Sequence, residues 1–442
     1  MPGLRASALQ KRYRLLHGLP CWLVFWVNSL VFEKKNLPPM DFRLDLRNFL
    51  IKYPARLMKI ALCLEYPLGL RGGVSVLVET LAEQLAQRGH KIILVSPDAP
   101  EILQRTGADK LIDGHIYWNP SKPSRANSRK LAEQLAASGI DVAHFHAGGN
   151  YGWGNRLPYR CPIYYLRPLG VPCFFTVHLV VDILAGYCGP QKPIWFKLLL
   201  LPLAWAGKMH QLSHTQCEIA VSQHDFKKLR RWYWPLRNRF IQVYHSRLSG
   251  KPLEPAGSRK PIILNVGHLA WRKGQMVLAD AFARIAKRKP EWVLQLAGSC
   301  AEQSMTDDLQ RVTEQHDLQD RILLLGERAD AFELMQQAAI YVQPSFWEAL
   351  GLALQEAMFA GCACIGSRAG GIPELIEENK SGLLFEPGNA EQLAGALERL
   401  MTDSQRREQL GRAAHESISA RGMTISQMVE RHLELYENAS RQ

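Results

Sequence analysis

PIILNVGHLAWRKG, residues 261–274, is apolar up to Gly267 except for Asn265, then turns polar, with Arg272 and Lys273 set before a second glycine. An apolar run of this length, closed by glycine, is the pattern of a strand buried on both faces, as in a parallel sheet covered by helices. From Gln275 to Arg288 the apolar positions take up helical spacing. Strands are predicted again at 292–297, 322–325 and 340–343, with helices at 305–315 and 331–338 between them, and the alternation runs on to Leu400. That order predicts a parallel α/β sheet.

Toward the amino end, residues 246–260 carry Gly250, Pro252, Pro255 and Gly257 and read as a linker. Before it lies a second pattern of the same kind. MKIALCL at 58–64 is a strand, Gly69, Gly72 and Gly73 make a glycine-rich turn, and Val74, Leu77, Val78, Leu81, Ala82 and Leu85 recur at helical spacing until Gly89. KIILV and the segments 142–145, 173–177 and 219–221 supply further strands. A glycine turn at a helix amino end offers amides to a phosphate or lets a substrate come close. The expected fold is α/β, with two doubly wound, Rossmann-like domains at 58–245 and 261–415, joined by the linker 246–260. Their strand ends face each other across a cleft, the usual ligand site of open α/β sheets.

With 47% hydrophobic and 21% charged residues among 442, the chain is not a disordered one. The formal net charge is +13. Residues 1–57 and 225–251 each contribute +7, so the rest is nearly neutral. Two local basic blocks on a neutral body fit an anionic membrane surface better than nucleic acid. Within residues 1–57, CWLVFWVNSLVF at 21–32 is flanked by Lys11, Arg12 and Arg14 and by Lys34 and Lys35. It is shorter than the roughly 20 residues that span a bilayer, and no small-residue cleavage site follows it. An interfacial segment is the expected reading, beside two others: a helix packed on the body, or a natural start at Met58. Nine cysteines without CxxC spacing read as free thiols in a reducing cytosol. His210, His214 and Cys217 lack a fourth ligand, so no metal is expected.

Chemistry concentrates in PSFWEALGLALQEAM, residues 344–358. A helix from about Ala349 to Ala360 is apolar nearly all round, so Glu356 sits inside it with no basic residue at a helical neighbour position. A buried carboxylate needs a partner, and a polar ligand would serve. Glu348 lies at the mouth of the same helix. Beyond it RAGGIPEL, residues 368–375, forms a glycine loop opening a helix at Pro373, and the amides of Gly370, Gly371 and Ile372 are expected to form an anion site. Lys273 and Gly274 follow the first strand of this domain, where a cation reaches the same anion. Diphosphate, hydroxyl-binding carboxylates and a lysine together suggest a nucleotide sugar.

These residues support a family resemblance. Glu348 and Glu356 with seven residues between them, followed by AGGIPELI and preceded by the KG turn, resemble the retaining glycosyltransferases of family 4, which have the GT-B fold. The likeness runs from about Met58 to Tyr436 and is strongest over 261–400. It implies that Glu356 and Gly267 belong to the donor site, with Glu356 on the ribose diol, and that Glu348 holds the transferred sugar. It also implies that Gly370, Gly371 and Ile372 support sugar and diphosphate, while Lys273 neutralises the leaving group in place of a metal. Gly72 and Gly73 match the glycine pair near phosphate and acceptor, and His178 matches an active-site histidine. Retention would follow from front-face attack, the leaving phosphate taking the acceptor's proton. A helix within 416–442, apolar at Ile425, Met428, Val429, His432, Leu433 and Tyr436, would cross back to the first domain. His268 stands where the family has arginine, with Arg272 as the substitute cation, and YHSRLS at 244–249 replaces an asparagine and glycine. His144 and His146 fall in what would be an acceptor-side loop.

The resulting expectation is a retaining, metal-independent transferase without a cofactor, taking a nucleotide diphosphate sugar as donor and a glycan or lipid-linked acceptor. It would act in the cytoplasm, peripherally on the cytosolic face of a membrane, in cell-envelope polysaccharide or glycolipid synthesis. The apolar run 195–208 supports the lipid acceptor unless it is a core helix. A nucleotide-sugar epimerase and a degenerate sugar-nucleotide scaffold are the competing readings.

Overall fold

The computed structural model describes residues 56–69, 72–119, 123–183, 191–248, 259–300 and 302–440. The basic, aromatic extension expected to lie on lipid, and most of the 246–260 linker, fall outside the described residues.

Two parallel sheets carry the fold, as the alternating pattern requires. The first has seven strands, β1 (Lys59–Leu64), β2 (Lys91–Ser96), β3 (Gly114–Tyr117), β4 (Val142–Ala147), β5 (Cys173–Val177), β6 (Cys217–Ala220) and β7 (Phe240–Gln242), in the order β3-β2-β1-β4-β5-β6-β7. The second has six, β8 (Lys260–Val266), β9 (Val293–Ala297), β10 (Ile322–Gly326), β11 (Ala338–Gln343), β12 (Ala363–Ser367) and β13 (Leu383–Phe385), in the order β10-β9-β8-β11-β12-β13. The strand order reverses between β1 and β4 and again between β8 and β11. At such a switch point the connections leave on opposite faces and a crevice opens at the carboxyl ends of the strands. Central strands are buried along their length, Ile60 pairing with Val142 and Leu62 with His144.

His144 and His146 are therefore strand residues in β4, fully buried, and do not belong to a loop. His144 Nε2 meets Thr176 Oγ1 at 2.7 Å and its Nδ1 meets Tyr436 OH at 2.5 Å, so the buried ring is hydrogen-bonded on both nitrogens.

Tyr436 comes from the helix Ile425–Ser440, whose Met428, Val429, Leu435 and Tyr436 share a core with Ile60 and Leu62 of the first sheet. The helix before it, Ser404–Ala420, packs Ala414 and Ile418 with Leu354 and Met358 under the second sheet. The chain thus returns to the first half between them. There the outgoing and returning strands of the connection are tied: Ser246 Oγ donates to Met423 O at 2.7 Å, and Ile425 N donates to Leu248 O at 3.1 Å.

Candidate active site

A cleft of about 910 Å³ lies between the strand ends of the two sheets. Gly72, Gly73, His178, Gly267, His268, Arg272, Lys273, Glu348 and Glu356 all line it.

On the second-sheet side the geometry begins at Gly274. Its φ is +71°, and a Cβ there would overlap the Pro344 carbonyl, so the KG turn needs glycine to seat against the segment leading into Glu348. Phe346 N donates to Arg272 O at 2.8 Å across the same contact. The result is an ion pair, Lys273 Nζ to Glu348 Oε2 at 2.7 Å. Gln343 Nε2 at 3.1 Å and Ser345 Oγ at 3.2 Å donate to the same carboxylate oxygen. Burial alone would raise the Glu348 carboxyl, but Lys273, Arg272 and Ser345 more than offset it and hold it below the ordinary carboxylate value.

The helix after Glu348 begins at Leu352, three residues later than its apolar pattern suggests, because Gly351 takes a φ of +94° and turns the chain first. Its buried face is Leu354, Gln355, Ala357 and Met358, while Leu352, Ala353 and Glu356 line the cleft. The helix is buried on one face only. Glu356 does have a cation: Arg247 Nη1 sits 2.9 Å from its Oε1, arriving from the segment between the sheets. Burial raises the Glu356 carboxyl and Arg247 partly counters it.

The glycine loop works differently from its expected role. Gly371 N donates to Glu348 O at 3.3 Å and Ile372 N to Ala369 O at 3.1 Å, so these amides are spent within the protein. Gly370 has a φ of +54°, and a Cβ on it would fall on the Glu348 carbonyl. Gly370, Gly371 and Ile372 brace the turn that carries Glu348 and are not part of the cleft lining. The amides facing the cleft belong instead to the start of the helix Leu352–Phe359, where Leu352 and Ala353 have no acceptor within the helix.

The first-sheet wall is built largely from histidines, with one carboxylate, Glu79, also lining the cleft. His178 follows β5, and its amide donates to Ala147 O at 2.9 Å, which sets its ring beside β4. His146 Nδ1 and His178 Nε2 share a hydrogen bond of 3.1 Å, His178 and His245 have ring centroids 5.3 Å apart, and His245 and His432 5.7 Å. Burial holds all five of these histidines, His144 included, below the ordinary imidazole value, reinforced by the neighbouring rings for His144, His146, His178 and His245 and by Arg431 for His432. His268 is neutral for a related reason: burial first, then Lys273 and Arg272, lower its pKa, and its Nδ1 lies 2.6 Å from Ser299 Oγ.

Sequence reasoning missed Arg247, the amides of Leu352 and Ala353, and Glu374. The last, in the second half, accepts from Gln223 N at 2.8 Å, His224 N at 2.5 Å and Tyr244 OH at 3.1 Å, capping a helix of the first half. The arginine in YHSRLS and the glycine before Leu352 were signals for the first two. Among the described residues no three His, Cys, Asp or Glu side chains converge as metal ligands. Seven described cysteines are free thiols, and Cys300 alone of these is exposed.

Two family models cover most of the chain: "Glycosyltransferase Family 4" matches residues 71–246 and "Glycosyl transferases group 1" matches residues 252–417. N-acetyl-alpha-D-glucosaminyl L-malate synthase of Bacillus anthracis is 25% identical over 359 residues, 78% of this chain and 89% of that protein. The phosphatidylinositol N-acetylglucosaminyltransferase gpi3 subunit of Schizosaccharomyces pombe is 25% identical over 350 residues, 75% of this chain and 70% of its own length. Among solved structures, Anabaena HepE in complex with UDP and glucose superposes with a TM-score of 0.63 at 19% identity, covering 86% of this chain and 100% of HepE.

Proposed function

The chain belongs to glycosyltransferase family 4, and from that premise we propose that it moves a sugar from a nucleoside diphosphate sugar to a hydroxyl of a glycan or lipid-linked acceptor, with retention and without a metal ion. The observation that carries this reading is the second-sheet wall, where Lys273, Arg272, Glu356 and the residues Leu352 and Ala353 at the start of a helix line the same cleft. A diphosphate needs cations and amides, and a ribose diol suits a carboxylate that accepts from two adjacent hydroxyls.

In the proposed reaction the acceptor oxygen bonds to the anomeric carbon on the face from which the diphosphate oxygen departs. The acceptor's proton passes to a phosphate oxygen of the leaving group. Glu348, held ionised by Lys273, binds sugar hydroxyls and is a poor base. Lys273 and Arg272 take the charge that grows on the leaving diphosphate, the role a divalent metal plays elsewhere. His178 is neutral and adds no positive charge beside a carbon that becomes electron-poor. Positioning and leaving-group stabilisation then supply most of the catalysis.

The test is nucleotide release from UDP, GDP and ADP sugars with a crude lipid-linked glycan extract, with and without EDTA. Acceptor-dependent release that survives EDTA and is strongly reduced, at subsaturating donor, in Glu356→Ala and Lys273→Ala is expected. Release that needs an added divalent ion, or a product of inverted configuration, would overturn the mechanism.

A further inference from the structure

The helix Ile194–His214 is made of two unlike halves. From Ala204 on it is largely buried, and Lys208 pairs with Glu218 of β6 at 2.6 Å, both fully buried, while Gln211 Nε2 reaches the same carboxylate at 3.3 Å. That half is core. Before Pro202 the side chains Ile194, Trp195, Leu198 and Leu199 stand in solvent, Leu199 70% exposed and Trp195 66%, and Leu203 continues the face. The turn Trp234–Arg239 packs against this helix and adds Trp234, 63% exposed. Trp205 Nε1 donates to Trp232 O at 3.2 Å, which ties the two segments together. Soluble surfaces seldom carry so many large apolar side chains in one place without a partner.

The chain through this patch is strongly basic, although Asp182 just before it is exposed. Between residues 183 and 251 the chain has eleven Lys and Arg and two carboxylates, Glu218 and Asp225, and both carboxylates are buried. Lys192, Lys227, Arg230, Arg231 and Arg237 are exposed.

We propose that the exposed face of residues 194–203, together with Trp234 of the turn packed on this helix and the exposed cations of 227–237, docks on an anionic lipid bilayer. Apolar side chains and tryptophan enter the headgroup region while lysine and arginine pair with lipid phosphate, the arrangement of interfacial helices. A second copy of this chain is a poor occupant, because a twofold contact through the same face would set the exposed cations of the two copies against each other. The proposal goes beyond the transfer reaction, and its test needs no activity.

Full-length protein is floated with vesicles of phosphatidylcholine alone and of phosphatidylcholine mixed with phosphatidylglycerol. Binding to the anionic vesicles is expected to exceed binding to the neutral ones about tenfold or more, and Leu198→Glu/Leu199→Glu and Arg230→Glu/Arg231→Glu each to reduce it about tenfold. Both variants should keep the parent melting temperature, the sites being exposed, and Leu198→Ser/Leu199→Ser replaces the first should glutamate disturb the helix. Variants that bind as the parent does, because residues 1–57 make the attachment, would overturn the proposal. So would a dimer that the leucine variant dissociates, together with no binding to vesicles.

Discussion

The two walls of the cleft solve the problem of burying polar groups in opposite ways. The second-sheet wall holds its carboxylates paired, Glu348 with Lys273 of the same half and Glu356 with the exposed Arg247 from the segment between the sheets. The first-sheet wall buries five imidazoles and keeps them below the ordinary imidazole value, His146 bonded to His178 and His144 to Thr176 and Tyr436. Fixed charge suits a doubly charged donor, whose binding and departure are matters of electrostatics. Neutral donors and acceptors of hydrogen bonds suit hydroxyl groups. A buried charge left without its partner is costly, so the charged wall should be the more fragile of the two.

Lys273→Ala tests that most directly. It removes the cation nearest the leaving group and the main partner of Glu348, leaving Arg272 and Ser345 to oppose the rise in its pKa that burial causes. A loss of about 10²–10³ in kcat is expected, the range for removing one preorganised electrostatic group, measured by nucleotide release at saturating donor. Glu356→Ala should fall mainly on donor affinity, raising donor KM by about ten- to a hundredfold, since one charge-assisted pair of hydrogen bonds is lost. If the two substitutions instead lower kcat and KM alike, the wall does not divide its work between leaving group and nucleoside. On the histidine wall, His178→Ala should lower kcat about tenfold with donor binding unchanged, measured by calorimetry with the nucleotide alone. A loss as large as that of Lys273→Ala would erase the contrast between the walls.

The contrast also explains what could be read from sequence. Central strands such as KIALCL and AAIYVQ are apolar along their length and declare themselves, but the edge strands β3, β7 and β13 are short or half-exposed and leave no such run. Lys273, Glu348 and Glu356 were legible because each sits in a local motif. Arg247 was not, because it meets Glu356 across 109 residues, and His144 meets Tyr436 across 292. RAGGIPEL was recognisable as a motif, yet glycines show that a backbone comes close without showing which one. Here it is the protein's own, at Glu348.

Between the two walls Glu374 acts as a clasp, accepting the first amides of the helix Gln223–Trp232 from across the cleft. That helix keeps its own cap, Ser222 Oγ accepting from Asp225 N at 3.1 Å. Glu374→Ala should therefore cost only about 1 kcal/mol of stability, at the low end of a cap deletion's effect. Denaturant unfolding measures it, and an unchanged midpoint would mean that Glu374 does not hold the halves together.

The smallest effect concerns the histidine wall and acid. His432 is fully buried on the helix Ile425–Ser440, its Nδ1 held by Met428 O at 2.7 Å, and it faces His144, His245 and Tyr436, with Arg431 beside it in the chain. Burial pushes its pKa from 6.5 down to about 4. Between those two values the unfolded chain binds this proton and the folded chain does not, so protonation favours unfolding as the pH falls. The window opens near pH 6.5 and closes near 4. Asp225, pushed up to about 7 mainly by burial, works the other way, gaining stability as it takes up its proton below that value. The total slope therefore mixes both signs. The difference between parent and His432→Gln isolates one histidine. The variant's stability should fall less steeply between pH 6.5 and 4, by at most about 1.4 kcal/mol per pH unit, the limit for a single proton. Parallel curves would mean that His432 takes up its proton in the folded protein as readily as in the unfolded chain, and that burial does not hold this ring neutral.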